Sequence, residues 1–250
     1  MDSEESKEMK AVAVIPARHA STRFPGKPLA LVAGKPLLQW VWEGARQSRA
    51  IAEVTVATDD AKIANAAKNF GARVVMTRSD HPSGTDRVAE AIQGSEADWI
   101  LNLQGDEPLL TGNFLDSWIA ALREDFGMAT VATPLREAQD LQNPDVVKVR
   151  WDASGKALGF RRTVPGKEAP EWGHQHVGLY AYRPDTLRHF VGLAPSEGEK
   201  RERLEQLRAL ENGIAVQVVP LTFLSVGVDT PGDVTRAERA LAERAARVSI

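Results

Sequence analysis

Short apolar runs alternating with stretches of helical spacing fill the first hundred residues, and this alternation leaves few folds open to the chain. Ala11-Val12-Ala13-Val14-Ile15, before Pro16, is continuous and β-branched, as suits a parallel strand covered on both faces. After a loop through Lys35, Pro36 is placed in the first turn of a helix running to about Arg46, with Leu37, Val41, Gly44 and Ala45 at helical spacing. Residues 53–58 read as a second strand. Asp59 is placed to cap a helix that carries Ile63, Ala67 and Phe70 on one face and stops at Gly71. A third strand at 72–76, a helix at 85–93 and a fourth strand at Trp99-Ile100-Leu101-Asn102-Leu103 follow. Strands alternating with helices of about three turns predict an α/β fold, a Rossmann-like platform whose mostly parallel sheet is flanked by helices. In such sheets ligands lie beyond the carboxyl ends of the strands, so the loops after Ile15 and Leu103 are the expected site.

The pattern then changes. A helix is expected at 111–123, and strands at 128–134, 146–151, 156–162 and 176–183 with a smaller, antiparallel character. Asp152-Ala153-Ser154-Gly155 supplies hairpin-turn chemistry between two of them. Residues 165–173 read as a mobile loop, 199–211 as one helix with Leu204, Leu207 and Leu210 inward, and 215–219 as a strand. Thr230-Pro231-Gly232-Asp233 opens a final helix, with Thr230 as N-cap and Asp233 completing a capping box. The expected organisation is a disordered tail at 1–9 and one domain at 10–250, with an antiparallel subdomain at about 131–190.

Composition narrows the function. With 43% hydrophobic residues and 26% charged, 250 residues can bury a sizeable core. Thirty-one Lys and Arg against 34 Asp and Glu leave a formal charge of -3, so nothing suggests a nucleic-acid partner. The absence of cysteine excludes disulfides, thiolate metal sites and cysteine nucleophiles. The polar, acid-rich start lacks a secretory signal, and no apolar run approaches the roughly 18 to 20 residues of a membrane span, so a soluble, cytoplasmic chain with no membrane partner is expected.

The loop from Pro16 to Pro28 gathers Arg18, Arg23 and Lys27 with Ser21 and Thr22, which suits a multiply charged anion. It is neither a Walker loop nor a dinucleotide fingerprint, because Lys27 is followed by Pro28 and only Gly26 is available. Asp106 and Asp229 each follow a predicted strand, and two such carboxylates can converge on a hard cation such as Mg²⁺ beside bound phosphates. Taken singly, each is more often a cap or turn former. His174 and His176 would share one face of a strand, but without nearby acids or cysteine they point to ligand hydrogen bonding by His176 rather than to zinc. Tyr180 and Tyr182 read as core or interface aromatics, and no serine-hydrolase elbow is present.

Four ordered segments carry a resemblance. They are Ile15-Pro16-Ala17-Arg18 with Ser21-Thr22-Arg23 and Pro25-Gly26-Lys27-Pro28, then Asp80-His81 with Ser83-Gly84-Thr85-Asp86-Arg87, then Asn102 with Gln104-Gly105-Asp106-Glu107-Pro108, and last Gly227-Val228-Asp229-Thr230-Pro231. With His176, Gly178, Tyr180, Tyr182-Arg183 and Leu204-Glu205-Gln206-Leu207-Arg208 they resemble the 3-deoxy-manno-octulosonate (Kdo) cytidylyltransferases, over about residues 11–240. The resemblance implies a nucleotidyltransferase fold, transfer of CMP from CTP to the anomeric hydroxyl of Kdo, release of pyrophosphate and dependence on Mg²⁺. It implies that Ala17, Arg18, Ser21, Arg23 and Lys27 hold the triphosphate, with Arg18, Lys27 and Asp106 serving catalysis. Ser83, Gly84, Thr85 and Arg87 would form the nucleotide pocket, and Asp106 with Asp229 would bind magnesium. Gln104, Arg162, His176, Tyr180, Glu205 and Gln206 would hold the acidic sugar.

With no general base evident, the metal is expected to lower the pKa of the sugar hydroxyl. A homodimer through about 131–188 and a place in lipopolysaccharide precursor synthesis are implied in the same way. The chain reads Gly159-Phe160-Arg161-Arg162 and Val164-Pro165 where the family usually has Tyr-Phe-Ser-Arg and Ile-Pro, which keeps a modified sugar such as 8-amino-Kdo open. A CMP-sialic acid synthetase is the enzymatic alternative, although its phosphate loop usually reads differently, and a catalytically silent nucleotide-binding protein is the alternative from another class.

Overall fold

The computed structural model describes residues 9–19 and 24–248. Most of the expected tail, together with Ser21 and Arg23, lies outside the described residues. Strand β1 (Ala11–Ala17) is followed by a short antiparallel pair, β2 (Leu31–Val32) and β3 (Lys35–Pro36), and by helix α1 (Leu37–Arg46). Next come β4 (Ile51–Thr58), α2 (Ala61–Asn69), β5 (Arg73–Met76), α3 (Gly84–Ala91), β6 (Trp99–Asn102) and α4 (Gly112–Ala120). The second half holds β7 (Met128–Pro134), β8 (Lys148–Trp151), β9 (Ala157–Arg161), β10 (His174–Tyr182), α5 (Pro184–Val191), α6 (Glu197–Glu202), α7 (Gln206–Glu211), β11 (Val216–Pro220) and α8 (Pro231–Val248).

The sheet runs β11-β7-β10-β6-β1-β4-β5, with β8 and β9 attached through β10. Pairs β1–β4, β1–β6, β4–β5 and β7–β11 are parallel, whereas β10 runs antiparallel to both of its main-sheet neighbours. The antiparallel character expected after residue 128 therefore reduces, within the main sheet, to β10 and the β8–β9 hairpin it carries. Because β10 is reversed, its start at His174 lies at the same end of the sheet as the carboxyl ends of β1 and β6. The chain leaves β1 towards β4 on one side and has β6 on the other, so the crevice where the order reverses opens at β1 and β6.

Strand β1 shows why the run is continuous. Ala11, Ala13 and Ile15 pack into a cluster with Leu38 and Val41 of α1 and Trp118 of α4, while Val14 belongs to a second cluster with Val88 of α3, Ile100 and Phe190 of α5. A third cluster joins Val32, Leu37, Val226 and Val228 to Ala237 and Leu241 of α8.

Several boundaries differ from expectation. Pro36 has φ -53 and ψ 138, outside the helix, so α1 begins at Leu37. Asp60, not Asp59, caps α2, accepting from the backbone N–H groups of Lys62 and Ile63. The single helix expected at 199–211 is broken at Arg203, whose φ of 55 is left-handed, and Leu210 is only partly buried. The loop expected at 165–173 contains a 3-10 turn, Gly166–Glu171. The 152–155 turn forms as expected, with Asp152 accepting from the backbone N–H groups of Ser154 and Lys156, and Gly155 at φ 84.

Candidate active site

A cavity of about 280 Å³ opens at the carboxyl ends of β1 and β6. Its walls include Ala17, Arg18, Lys27, Ser83, Gly84, Arg87, Gln104, Asp106 and Asp229, drawn from all four of the sequence segments singled out above. At its centre Lys27 donates from Nζ to Asp106 Oδ2 at 2.8 Å and to Asp229 Oδ1 at 3.2 Å. Burial alone would lower the lysine's pKa, but the two carboxylates outweigh it and hold the ammonium above its ordinary value. Lys27 opens a 3-10 turn (Lys27–Leu29) behind Gly26, whose φ of 72 only glycine adopts freely.

Helix α3 presents its N-terminus to the same cavity. Ser83 caps it by accepting from the backbone N–H groups of Thr85 and Asp86, a positively polarised end suited to phosphate. Gly84 passes Pro16 so closely that a Cβ would lie 3.4 Å from the proline ring. Arg87 is held from behind by Asp59 at 3.3 Å and by the Thr77 hydroxyl. Asp59 thus serves as an anchor for Arg87.

Of the residues expected to hold the sugar, all but Gln104 lie outside the lining of this cavity. His176 is buried, and its Nε2 meets the Thr130 hydroxyl at 2.9 Å beside the rings of Phe160 and Tyr180. Burial pushes its pKa down to about 3. Tyr180 is buried, with its phenol held above the usual range by burial and then by the Glu205 charge. Glu205 accepts from the Thr85 hydroxyl at 2.6 Å, and burial raises its carboxyl. The Gln206 Nε2 is buried without a hydrogen-bond partner among the described residues. Gln104 bridges the two regions, since it lines the cavity and its Cγ would lie 3.9 Å from a Cβ at Gly178 of β10.

Arg162 is turned elsewhere. Its guanidinium donates to the carbonyls of Glu202, Arg203 and Pro144, stabilising the break between α6 and α7. Thr85 also differs from expectation, because it is 2% exposed and faces Glu205 and Asn102 instead of the cavity.

Sequence reasoning gave Glu107 no role. It is buried next to Asp106, and its Oε1 accepts from the Ser225 hydroxyl at 2.6 Å. Burial, helped by the Asp106 charge, pushes its carboxyl up to about 8. With the Val228 N–H donating to the Asp106 carbonyl at 3.0 Å, Glu107 pins the irregular segment 221–229 that delivers Asp229, which therefore follows no strand, contrary to expectation. A second acid directly after the strand-end aspartate was the available signal.

A doubly wound sheet with cations, a helix N-terminus and paired carboxylates at its switch point defines a nucleotidyltransferase platform. A sequence model of the cytidylyltransferase family matches residues 12–217. The chain belongs to that family, and within it to the 3-deoxy-manno-octulosonate cytidylyltransferases. It is 46% identical over 244 residues to the enzyme of that name from Syntrophotalea carbinolica, covering 92% of this chain and 98% of the relative. The Pseudomonas fluorescens enzyme is 48% identical over 246 residues, covering 91% and 96%. A solved structure of CMP:2-keto-3-deoxy-manno-octonic acid synthetase complexed with CTP superposes with a TM-score of 0.87 at 40% identity, covering 94% of this chain and 99% of that one. Among the described residues no helix is long and apolar enough to cross a membrane.

Proposed function

We propose that the chain transfers CMP from CTP to the anomeric hydroxyl of Kdo, releasing pyrophosphate and forming an activated acidic sugar. The observation that carries this reading is the convergence of Lys27, Asp106 and Asp229 in a cavity that also holds Arg18, Arg87 and the α3 N-terminus. The hydroxyl oxygen attacks the α-phosphorus, the bond to the bridging β-phosphate oxygen breaks, and its electrons leave with pyrophosphate while the hydroxyl proton passes to solvent water. Negative charge grows on the phosphate oxygens in that step, so fixed cations there stabilise the transition state more than the ground state. Arg18 and Arg87 grip the phosphates, the polarised N-terminus of α3 at Gly84 donates to an anionic oxygen, and Lys27 exchanges its carboxylate contacts for phosphate.

The donor set fits a magnesium ion. Two carboxylate oxygens already share one cation, the ammonium of Lys27, and Mg²⁺ typically takes one or two carboxylates with the remaining oxygens from phosphate and water. Asp106 and Asp229 would hold it, and when bound it supplies charge neutralisation and lowers the pKa of a nearby hydroxyl. Ser21 and Arg23 join the phosphate grip in this reading, and Gln104, His176, Tyr180, Glu205 and Gln206 form the sugar side, while Arg162 braces the break between α6 and α7.

Kdo itself is favoured over an amino variant by what surrounds the sequence departures. Arg161 is paired with Glu168 at 2.6 Å and stacked on Trp172, so its charge is spent. At Gly159 a Cβ would lie 3.3 Å from the Trp172 ring, which occupies the space of the missing aromatic. The reaction is read as a soluble, cytoplasmic step carried out by a homodimer.

Pyrophosphate release with CTP and Mg²⁺ tests the reading, comparing Kdo, 8-amino-Kdo and N-acetylneuraminate. Release with Kdo is expected; release with N-acetylneuraminate alone would move the chain to the sialic-acid reaction. Asp106→Asn is expected to abolish turnover with the fold intact, and a near-normal Mg²⁺-dependent rate in that variant would overturn the metal assignment.

A further inference from the structure

Thr85 sits in the first turn of α3, whose neighbouring residues Ser83, Gly84 and Arg87 all face the phosphate cavity. Its own side chain points the other way. The hydroxyl donates its one proton to Glu205 Oε2 at 2.6 Å and accepts from Asn102 Nδ2 at 3.3 Å. The buried Tyr182 phenol also meets it, and the Ser83 hydroxyl reaches the same carboxylate. Glu205 is held less firmly from its own side of the fold. Arg208, the nearest cation on α7, is 3.8 Å from Oε1, and its guanidinium is engaged bidentately by Glu199 at 2.8 and 2.5 Å. Oε1 has no hydrogen-bond partner among the described residues, nor does Asn102 Oδ1. Glu205 is therefore hydrogen-bonded to the nucleotide-side helix across 120 residues of sequence, and the network retains open valences for a polar ligand.

We propose that Thr85 is a positioning residue that couples the two substrates, by holding the sugar-side carboxylate of Glu205 to the helical turn that binds the nucleotide's phosphates. The inference rests on the cytidylyl-transfer reading above. A nucleotide that draws the α3 turn towards its phosphates moves the anchor of Glu205 with it. Linkage makes the effect reciprocal, so bound sugar must tighten nucleotide binding by the same factor.

The test is calorimetric titration of Kdo, in Mg²⁺, with and without the α,β-methylene analogue of CTP, whose bridging carbon blocks transfer. Wild-type protein is expected to bind Kdo more tightly when the analogue is present. Thr85→Val is expected to weaken Kdo binding about tenfold in the loaded protein and to remove most of that difference, because a hydrogen bond to a carboxylate is lost. Affinity for the analogue alone should change by no more than about twofold, since Thr85 does not face the phosphates. Thr85→Ser, which keeps the hydroxyl, should restore the coupling. A valine variant that melts earlier yet keeps the wild-type difference in Kdo affinity would show a purely structural role and overturn the proposal, as would a wild-type protein with no difference to lose. If the wild type transfers no CMP to Kdo from CTP, the functional reading fails and this inference falls with it.

Discussion

Lys27 concentrates the chemistry of the site in one ammonium. Two carboxylates hold it where a triphosphate would need a cation, and neither contact is visible in the sequence because the partners lie 79 and 202 residues away. Lys27→Met keeps the bulk of the stem and removes the charge. A loss of about 10²- to 10³-fold in kcat is expected, with CTP binding also weakened, measured by pyrophosphate release. A variant within threefold of wild type would remove Lys27 from the transition state. His176 makes a second residue-scale prediction. Burial holds its pKa at about 3 against an ordinary 6.5, so the folded protein keeps the ring neutral where the unfolded chain takes up a proton. The associated stability is complete above pH 6.5 and is lost as pH falls from there towards 3, at up to about 1.4 kcal/mol per pH unit. His176→Gln should therefore lose less stability than wild type between pH 7 and pH 5 in urea titrations, and equal losses would show that the ring is not protected from protonation.

Among the elements, the contact of α1 with the segment after β6 is set by glycine. A Cβ at Gly44 would lie 2.2 Å from the Leu110 carbonyl oxygen, so the helix must back away if one is added. Gly44→Ala is expected to cost about 1–3 kcal/mol in urea unfolding. Leu110 donates from its backbone to the Glu107 carbonyl at 3.1 Å, so the displacement should also reach Asp106 and lower kcat. Full activity together with full stability in that variant would contradict the packing described. A second knot ties the β8 end of the antiparallel region. Lys148 is buried and donates to the carbonyls of Asp140, Asn143, Val146 and Arg162, and its pKa is drawn down to about 8 chiefly by burial. Lys148→Met removes this donor from all four carbonyls, and although those of Asp140 and Asn143 keep a backbone N–H partner, a loss of about 2 kcal/mol or more and faster proteolysis between residues 138 and 164 are expected, read by limited digestion against wild type.

Across the whole molecule, the antiparallel hairpin leaves Leu158 on β9 half-exposed, in the stretch expected to join two copies. Light scattering is expected to give twice the 27.2 kDa chain mass, and Leu158→Lys to shift it towards one. A wild-type mass of one chain would remove the dimer. The platform itself was readable in the primary structure, because strands buried on both faces must be continuously apolar and the helices between them must repeat their apolar positions every three to four residues. The residues that meet in the cavity were readable for a similar reason: cations, glycine and carboxylates gathered in short strand-end loops, as at Arg18, Lys27, Gln104 and Asp106, mark where charged groups converge. The antiparallel character of β10 was legible, but its insertion between β6 and β7 and the parallel pairing of β7 with β11 were not, since strand neighbours are chosen by packing and not by local pattern. Nor was the break at Arg203, where a tertiary contact from Arg162 overrides helical spacing. The roles of Glu107, which pins the Asp229 segment, and of Thr85, which turns from the cavity to Glu205, belong to the folded chain for the same physical reason: hydrogen bonds between residues more than a hundred positions apart exist only after packing has brought them together.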